Sequence, residues 1–172
     1  MTKTKKIALI VSGALTAVLL AVMDIALLPK IKAAAGGMNP FDLQMLGYTH
    51  ETAVRFLSEL SDAGRALYLH VQIPVDFAFL VVYTVFFALA LRALLGNHRL
   101  LWLPLALAAA DIAENTCVVL MLRADTVSTA LTSFASGATL VKSILTYMTI
   151  AAVLVFALHR FFASRKKKQA AA

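Results

Sequence analysis

Four apolar runs, each long enough to cross a lipid bilayer, constrain this chain more than any other feature. They cover residues 7–28, 68–95, 100–122 and 138–162. The first run is expected to stop at Pro29 and the second at the helix stop Gly96–Asn97, and the Ser/Thr/Gly-rich stretch 128–137 is expected to form the turn before the fourth. An α-helix rises 1.5 Å per residue, so about 20 apolar residues cross a hydrocarbon core of about 30 Å. We therefore predict an all-α, polytopic integral membrane four-helix bundle. No run indicates a second domain, so residues 1–172 are expected to form a single membrane domain.

The composition agrees with a membrane protein and excludes several other classes. Of the 172 residues, 61% are hydrophobic and 15% are charged, with a mean hydropathy of +0.84. Soluble proteins are nearer half apolar and a quarter charged. The net charge of +7 lies at the ends of the apolar runs and forms no basic face, so we expect no nucleic-acid partner. One cysteine, Cys117, excludes a two-thiol redox site.

Lysine and arginine are divided unequally between the two sides of the predicted spans. One side carries ten bases and no acids, and the other carries five bases and five acids. Because short cytoplasmic segments are enriched in Lys and Arg, we expect both termini in the cytoplasm, with a basic cytoplasmic tail over residues 163–172. The Ala-rich composition favours a bacterial inner (cell) membrane, with the endoplasmic reticulum as the alternative. The first run exceeds the apolar part of a signal peptide, so we expect residues 1–35 to be retained.

The external connection over residues 30–64 is predicted to contain a turn and a short amphipathic helix. Residues 36–40 form the turn, Thr49 caps the helix, and Gly64 ends it. The apolar residues of this helix recur at helical spacing: Ala53, Phe56, Leu57 and Leu60. Two interpretations are open, a helix on the outer surface and a lid over the bundle. We favour the surface helix.

Ionisable residues inside the predicted spans are the main indication of a functional site, because charge is costly in lipid. At about 100° per residue, each span presents its polar residues as one stripe, in the outer half of the bilayer. The stripes predict a common interior pocket that opens to the outer side. The predicted ligand-binding residues are Asp24, Gln72, Asp76, Tyr83, Asp111, Glu114, Asn115, Lys142 and Thr146.

The acids in this set could perform proton chemistry, since four carboxyl groups near one lysine in a low dielectric cannot all be charged. The candidate catalytic residues are Asp111 and Glu114, either of which could act as a general acid, while Asp76 is expected to pair with Lys142. The alternative is structural, with Lys142 bridging the acids to hold the helices together. No metal or cofactor is expected, because the four histidines lack ligand spacing.

The layout resembles the EXPERA group of small membrane proteins, which includes the emopamil-binding sterol isomerases and the sigma-2 receptor. The residues that carry the resemblance are the segment Met23–Pro29, the external loop after it, Asp76 early in the second span, and the basic tail with Lys166–Lys168. The resemblance implies a lipophilic amine or sterol-like ligand held by Asp24 and Asp76. The chain departs from that group at the segment Asp111–Asn115 and lacks a histidine–acid pair in the bundle.

Three functions are compatible with these features. The first is binding or modification of a membrane-dissolved lipophilic small molecule in the acidic pocket. The second is a proton-coupled carrier or channel subunit, in which the carboxyl groups relay protons. The third is a structural or assembly partner of another membrane protein. Membrane lipids are the expected partners, and a ridge of small residues at Gly13, Ala17 and Ala21 is compatible with a homo-oligomer.

Overall fold

Residues with high helix propensity fill the apolar runs, and the chain folds almost entirely into helices. The computed structural model describes residues 2–96 and 98–169, with side chains through Ser164. Four of the helices in these ranges are long and apolar enough to span a membrane, which confirms the predicted all-helical class. The helices are α1 Lys3–Ala34, α2 His50–Glu59, α3 Asp62–Leu95, α4 Trp102–Arg123 and α5 Thr129–Gln169.

The four long helices pack as neighbours around a shared interior. α1 lies on α3, α4 lies chiefly on α5, and α3 contacts both α4 and α5. A Cβ added at Gly13 would lie 2.9 Å from the Phe86 ring, so Gly13 brings α1 close to α3 within this chain. Large apolar side chains remain exposed on the outside of the helices, as at Val81, Leu105 and Leu154. Such an exterior is typical of helices that face lipid.

The first turn of α5 differs from the sequence prediction. The Ser/Thr/Gly-rich stretch 128–137 was predicted to be a turn, and this is wrong, since α5 begins at Thr129 and continues through Gly137. Ser128 starts the helix, because its Oγ accepts a hydrogen bond from the Leu131 N–H at 3.2 Å. The polar residues therefore begin the helix, and the connection from α4 is limited to residues 124–128.

Two other predictions concern the end of α3 and the C-terminal tail. α3 ends at Leu95, and Gly96 follows it in the left-handed conformation with φ of +72°, as a helix stop requires. Asn97, the other half of the predicted stop, lies outside the described residues. The side chains of the predicted basic tail beyond Ser164 also lie outside them, so the role of the tail stays a prediction.

Pro29 lies inside α1 and Pro74 lies inside α3, and a wide helical turn precedes each of these two prolines. α1 continues through Pro29, so the predicted end of the first helix there is wrong. The Leu28 N–H bonds the carbonyl of Met23, five residues earlier instead of four. The Ile73 N–H bonds the carbonyl of Tyr68 in the same way, and Pro74 follows Ile73. A proline ring clashes with the carbonyl four residues before it in a regular helix, and the wide turn relieves that clash.

The external connection folds back over one end of the bundle. Thr49 caps α2 as predicted, since its side chain accepts a hydrogen bond from the Thr52 N–H at 3.2 Å. The helix ends at Glu59, so the predicted end at Gly64 is wrong. The backbone becomes extended after Glu59, and Ser61 then caps α3, which starts a new helix before Gly64 is reached.

The apolar face of α2 is buried in the protein, which corrects the preference for a helix lying on the outer surface. Phe56 and Phe41 are fully buried and pack edge to face, with ring centroids 4.9 Å apart. Tyr68 of α3 and Met121 of α4 belong to the same core cluster. We call residues 38–60 the lid, because this segment closes the end of the bundle above the buried polar residues.

Gly64 permits the closest approach between helices, and we expect Gly64→Ala to destabilise the protein by about 1–2 kcal/mol. The added methyl group would lie 2.5 Å from the Ala34 Cβ and 2.8 Å from a Leu60 methyl carbon. Thermal unfolding in detergent measures the change. Gly137→Ala is the matched control, because the same added atom there meets nothing within 4 Å. Equal unfolding temperatures for Gly64→Ala and the wild type would refute the close approach.

Candidate functional site

Polar side chains from α3, α4 and α5 are buried together below the lid. Asp76 of α3 and Asp111 and Glu114 of α4 are at most 3% exposed, and Lys142 of α5 reaches them from the side. We call these four residues the acidic cluster. The three acids are buried and the Lys142 side chain is partly exposed, so the structure shows a largely closed cluster where a pocket opening to the outer side was predicted. The lid, which the sequence analysis placed on the surface, covers it.

Lys142 pairs with both acids of α4. Its Nζ lies 3.1 Å from an Asp111 carboxylate oxygen and also contacts the Glu114 carboxylate. The predicted pairing of Lys142 with Asp76 is therefore wrong. Asp111 and Glu114 are three residues apart on one face of α4, and α4 packs chiefly on α5, so the ammonium group meets this face first.

Hydroxyl groups hold the two paired carboxylates in place. The Tyr83 hydroxyl of α3 donates to Asp111 at 2.8 Å, and the Thr139 hydroxyl of α5 donates to Glu114 at 2.5 Å. Each acid of α4 therefore has two partners, the Lys142 ammonium group and one hydroxyl group. Thr139 was not among the predicted site residues, although its position three residues before Lys142 places it on the same face of α5.

A second group of polar side chains in the site is buried without hydrogen-bond partners. The unpartnered atoms of this group are both amide atoms of Gln72, both amide atoms of Asn115 and one carboxylate oxygen of Asp76, and the Tyr48 hydroxyl of the lid is also buried without a partner. Gln72 and Asp76 are four residues apart on α3, and Asn115 lies beside Asp76. Each of the three residues is at most 2% exposed. Buried polar groups in proteins are nearly always paired with protein atoms or water. The unpartnered atoms of this group can therefore bind a molecule that carries polar atoms.

The lid brings another acid to the site. Asp42 accepts a hydrogen bond from the Tyr68 hydroxyl and lies close enough to act electrostatically on Asp76 and Glu114. Asp42 is one of the five acids on the less basic side of the predicted spans and was not among the predicted site residues. No local pattern reveals its position, because the fold-back of the lid brings it there.

Two further residues hold the lid against the helices. Arg65 donates to the Leu122 carbonyl of α4 at 2.5 Å and to the Leu57 carbonyl of the lid at 3.0 Å. The Tyr48 N–H donates to Ser136 of α5 at 2.8 Å. Burial raises the pKa of the Tyr48 phenol far above its usual range, and the nearby Glu114 charge adds to this. The phenol therefore stays a neutral hydrogen-bond donor beside the cluster.

Two predicted site residues lie outside this arrangement. Asp24 is exposed, within the wide turn Val22–Leu27 of α1. Thr146 bonds the carbonyl of Lys142 on its own helix at 2.8 Å. The other predicted residues, Gln72, Asp76, Tyr83, Asp111, Glu114, Asn115 and Lys142, belong to the buried site. Among the described residues, no group of three histidine, cysteine or acidic side chains has the geometry of a metal site.

No family model, no curated protein and no solved structure matches the chain. The resemblance to the EXPERA group stays a prediction. Two features of the site bear on function: the two buried carboxylates of Asp111 and Glu114 that share the Lys142 ammonium group, and the buried polar atoms of Gln72, Asn115 and Asp76 that lack hydrogen-bond partners.

Proposed function

We propose that this chain is an integral membrane protein that binds a lipophilic amine, dissolved in the membrane, at the acidic cluster. Four spans would cross the membrane, with both termini on the cytoplasmic side. One observation carries the proposal. Asp76 is 2% exposed and has an unpartnered carboxylate oxygen, while the ammonium group of the cluster, on Lys142, is committed to Asp111 and Glu114.

The charge balance supports a cationic ligand. Three carboxylates face one lysine in the cluster, and Asp42 adds a further negative charge nearby. Burying unpaired charge is expensive, so a protonated amine beside Asp76 would stabilise the cluster. Its N–H groups would donate to the Asp76 carboxylate and to the amide oxygens of Gln72 and Asn115. The apolar body of the ligand would then replace lipid contacts with contacts to the helices.

The layer beneath the cluster supports binding over transport. Leu80, Leu107 and Ala108 are buried there with Tyr83 in one apolar cluster, and Phe87 packs against them. A proton or ion pathway needs polar groups or water along the bundle axis. This layer offers apolar side chains instead. The proposed ligand therefore enters and leaves on the lid side, and its passage requires the lid to move.

Asp76 is the residue that we assign to the ligand, while Asp111 and Glu114 orient Lys142 and set the charge of the site. A general-acid role for Asp111 or Glu114 would add modification to binding and stays a prediction. Such a reaction would need a substrate atom within hydrogen-bond reach of one of these carboxyl groups. Binding is the part of the proposal that can be tested first.

We expect N,N-dimethyldecylamine to raise the unfolding temperature of the protein in lipid nanodiscs. A ligand at about tenfold its Kd stabilises the folded state by about 1.4 kcal/mol. 1-Decanol, an uncharged molecule of the same chain length, should have no such effect. Asp76→Asn should remove the response to the amine, because the substitution removes the charge that faces the ligand.

Asp125→Asn is the matched control, since Asp125 is exposed in the α4–α5 connection. It should keep the full response to the amine. The same temperature shift in Asp76→Asn and in the control would place the amine in the lipid or at another site, and so refute the proposal. A shift with 1-decanol equal to that with the amine would refute the cationic preference.

A further inference from the structure

A cavity lies at the end of the bundle away from the lid. Its volume is about 450 Å³, and it is lined by Lys5, Leu89, Arg92, Ala93, Gly96 and Arg160. The three basic residues come from α1, α3 and α5, at positions far apart in the sequence. We call this the basic cavity. It brings the beginning of α1 and the later part of α5 to the same end of the molecule.

The positive charge in the basic cavity has no acidic counterpart in the sequences around it. The nine acids of the chain all lie between Asp24 and Asp125, and none falls within residues 77–110. No acid is among the residues that line the cavity. A preference for basic residues on the cytoplasmic side explains the sign of these charges. It does not explain why three helices each direct one base to a single cavity.

Arg160 is held in place while keeping donors free for an anion. One of its guanidinium nitrogens donates to the Ala93 carbonyl near the end of α3. Arginine has five N–H donors in a planar fork, and this fork matches the oxygen atoms of a phosphate group. Lys5 lies in the first turn of α1, where the helix dipole also favours an anion.

We propose that the basic cavity binds a phosphate group, and that this group belongs to an anionic phospholipid of the leaflet that faces the two termini. Leu89 and Ala93 give the cavity an apolar wall, which suits the glycerol and first acyl carbons below a lipid phosphate. Lys5, Arg92 and Arg160 lie near the ends of their long apolar stretches, at the level that headgroups occupy. The site is independent of the acidic cluster.

The test compares lipid binding in the wild type and in the double variant Lys5→Gln/Arg92→Gln by native mass spectrometry. Detergent-solubilised full-length protein is titrated with phosphatidylglycerol, with phosphatidylcholine and with inorganic phosphate. The wild type should retain phosphatidylglycerol in preference to phosphatidylcholine. The double variant should retain it about tenfold more weakly, since each basic residue near a membrane surface contributes to anionic lipid binding.

Lys30→Gln/Lys32→Gln is the control, because it removes the same charge from two exposed lysines at the lid end of α1. This control should retain phosphatidylglycerol as the wild type does. Equal retention in all three proteins, or an equal loss in both double variants, would refute a site at the basic cavity. Weakened binding of inorganic phosphate alone in Lys5→Gln/Arg92→Gln, without a preference for phosphatidylglycerol, would refute the lipid as its source. Unchanged unfolding temperatures of both variants in phosphatidylcholine exclude misfolding as the cause.

Discussion

Lys142→Met is expected to destabilise the protein by about 3–5 kcal/mol, which is the cost of removing one partner of a buried ion pair. The methionine would keep much of the apolar stem of the lysine and remove only the ammonium group. Asp111 and Glu114, each at most 3% exposed, would then face one another without a base. Their remaining hydroxyl partners, Tyr83 and Thr139, donate hydrogen bonds but supply no positive charge. Thermal unfolding in detergent at neutral pH measures the loss.

The rescue of this variant separates charge from packing. Lys142→Met/Asp111→Asn/Glu114→Gln removes the ammonium and both carboxylates, so no uncompensated charge is left among these three positions. We expect it to recover most of the lost stability, because neutral isosteres of a buried charge group are often tolerated. A stability for Lys142→Met equal to that of the wild type would contradict the ion pairs. Failure of the triple variant to recover would contradict the assignment of the loss to uncompensated charge.

The number and type of the long helices could be predicted because the bilayer sets a minimum length for any apolar run that crosses it. The ends of those helices could not be predicted from apolarity. Hydropathy shows which residues lipid can cover, but a helix can extend beyond those residues. α1 does so, because its backbone hydrogen bonds continue past Pro29 through a wide turn. Polar residues such as serine are common both in turns and at the start of helices. Ser128 starts α5, so the polar stretch that begins there does not mark a turn.

Within the site, the helical period predicts which side chains share a face. The stripe of Gln72, Asp76 and Tyr83 on α3 is buried in the structure, and Tyr83 reaches Asp111 of α4. The partner of each charge depends instead on how neighbouring helices are aligned along their axes. That alignment assigns Lys142 to the acids of α4. It is set by packing over the whole bundle, which no local pattern reports.

The lid is the part of the site least accessible to sequence reasoning. Its helix and N-cap could be predicted, because Thr49 and the apolar spacing after it are local. Its position could not be predicted, because an amphipathic helix has the same sequence pattern whether its apolar face contacts lipid or covers a helix bundle. The contacts that fix it join distant residues, such as Arg65 with Leu122. Asp42 enters the site only through this fold-back.

Gln72→Met is expected to stabilise the protein by about 2–3 kcal/mol while abolishing its response to N,N-dimethyldecylamine. Both amide atoms of Gln72 are buried without a partner, and each unsatisfied group costs about 1–3 kcal/mol, which an apolar side chain of similar length would avoid. If Gln72 served only to stabilise the protein, its replacement by methionine would lower the free energy of unfolding. Thermal unfolding in nanodiscs, with and without the amine, measures both effects. Gln44→Met is the matched control, because the Gln44 amide already donates to the Asn39 carbonyl at 3.1 Å, so no gain is expected there. A less stable Gln72→Met variant would mean that the amide of Gln72 has partners in the protein, and the unpartnered group beside Asp76 would then no longer support a ligand.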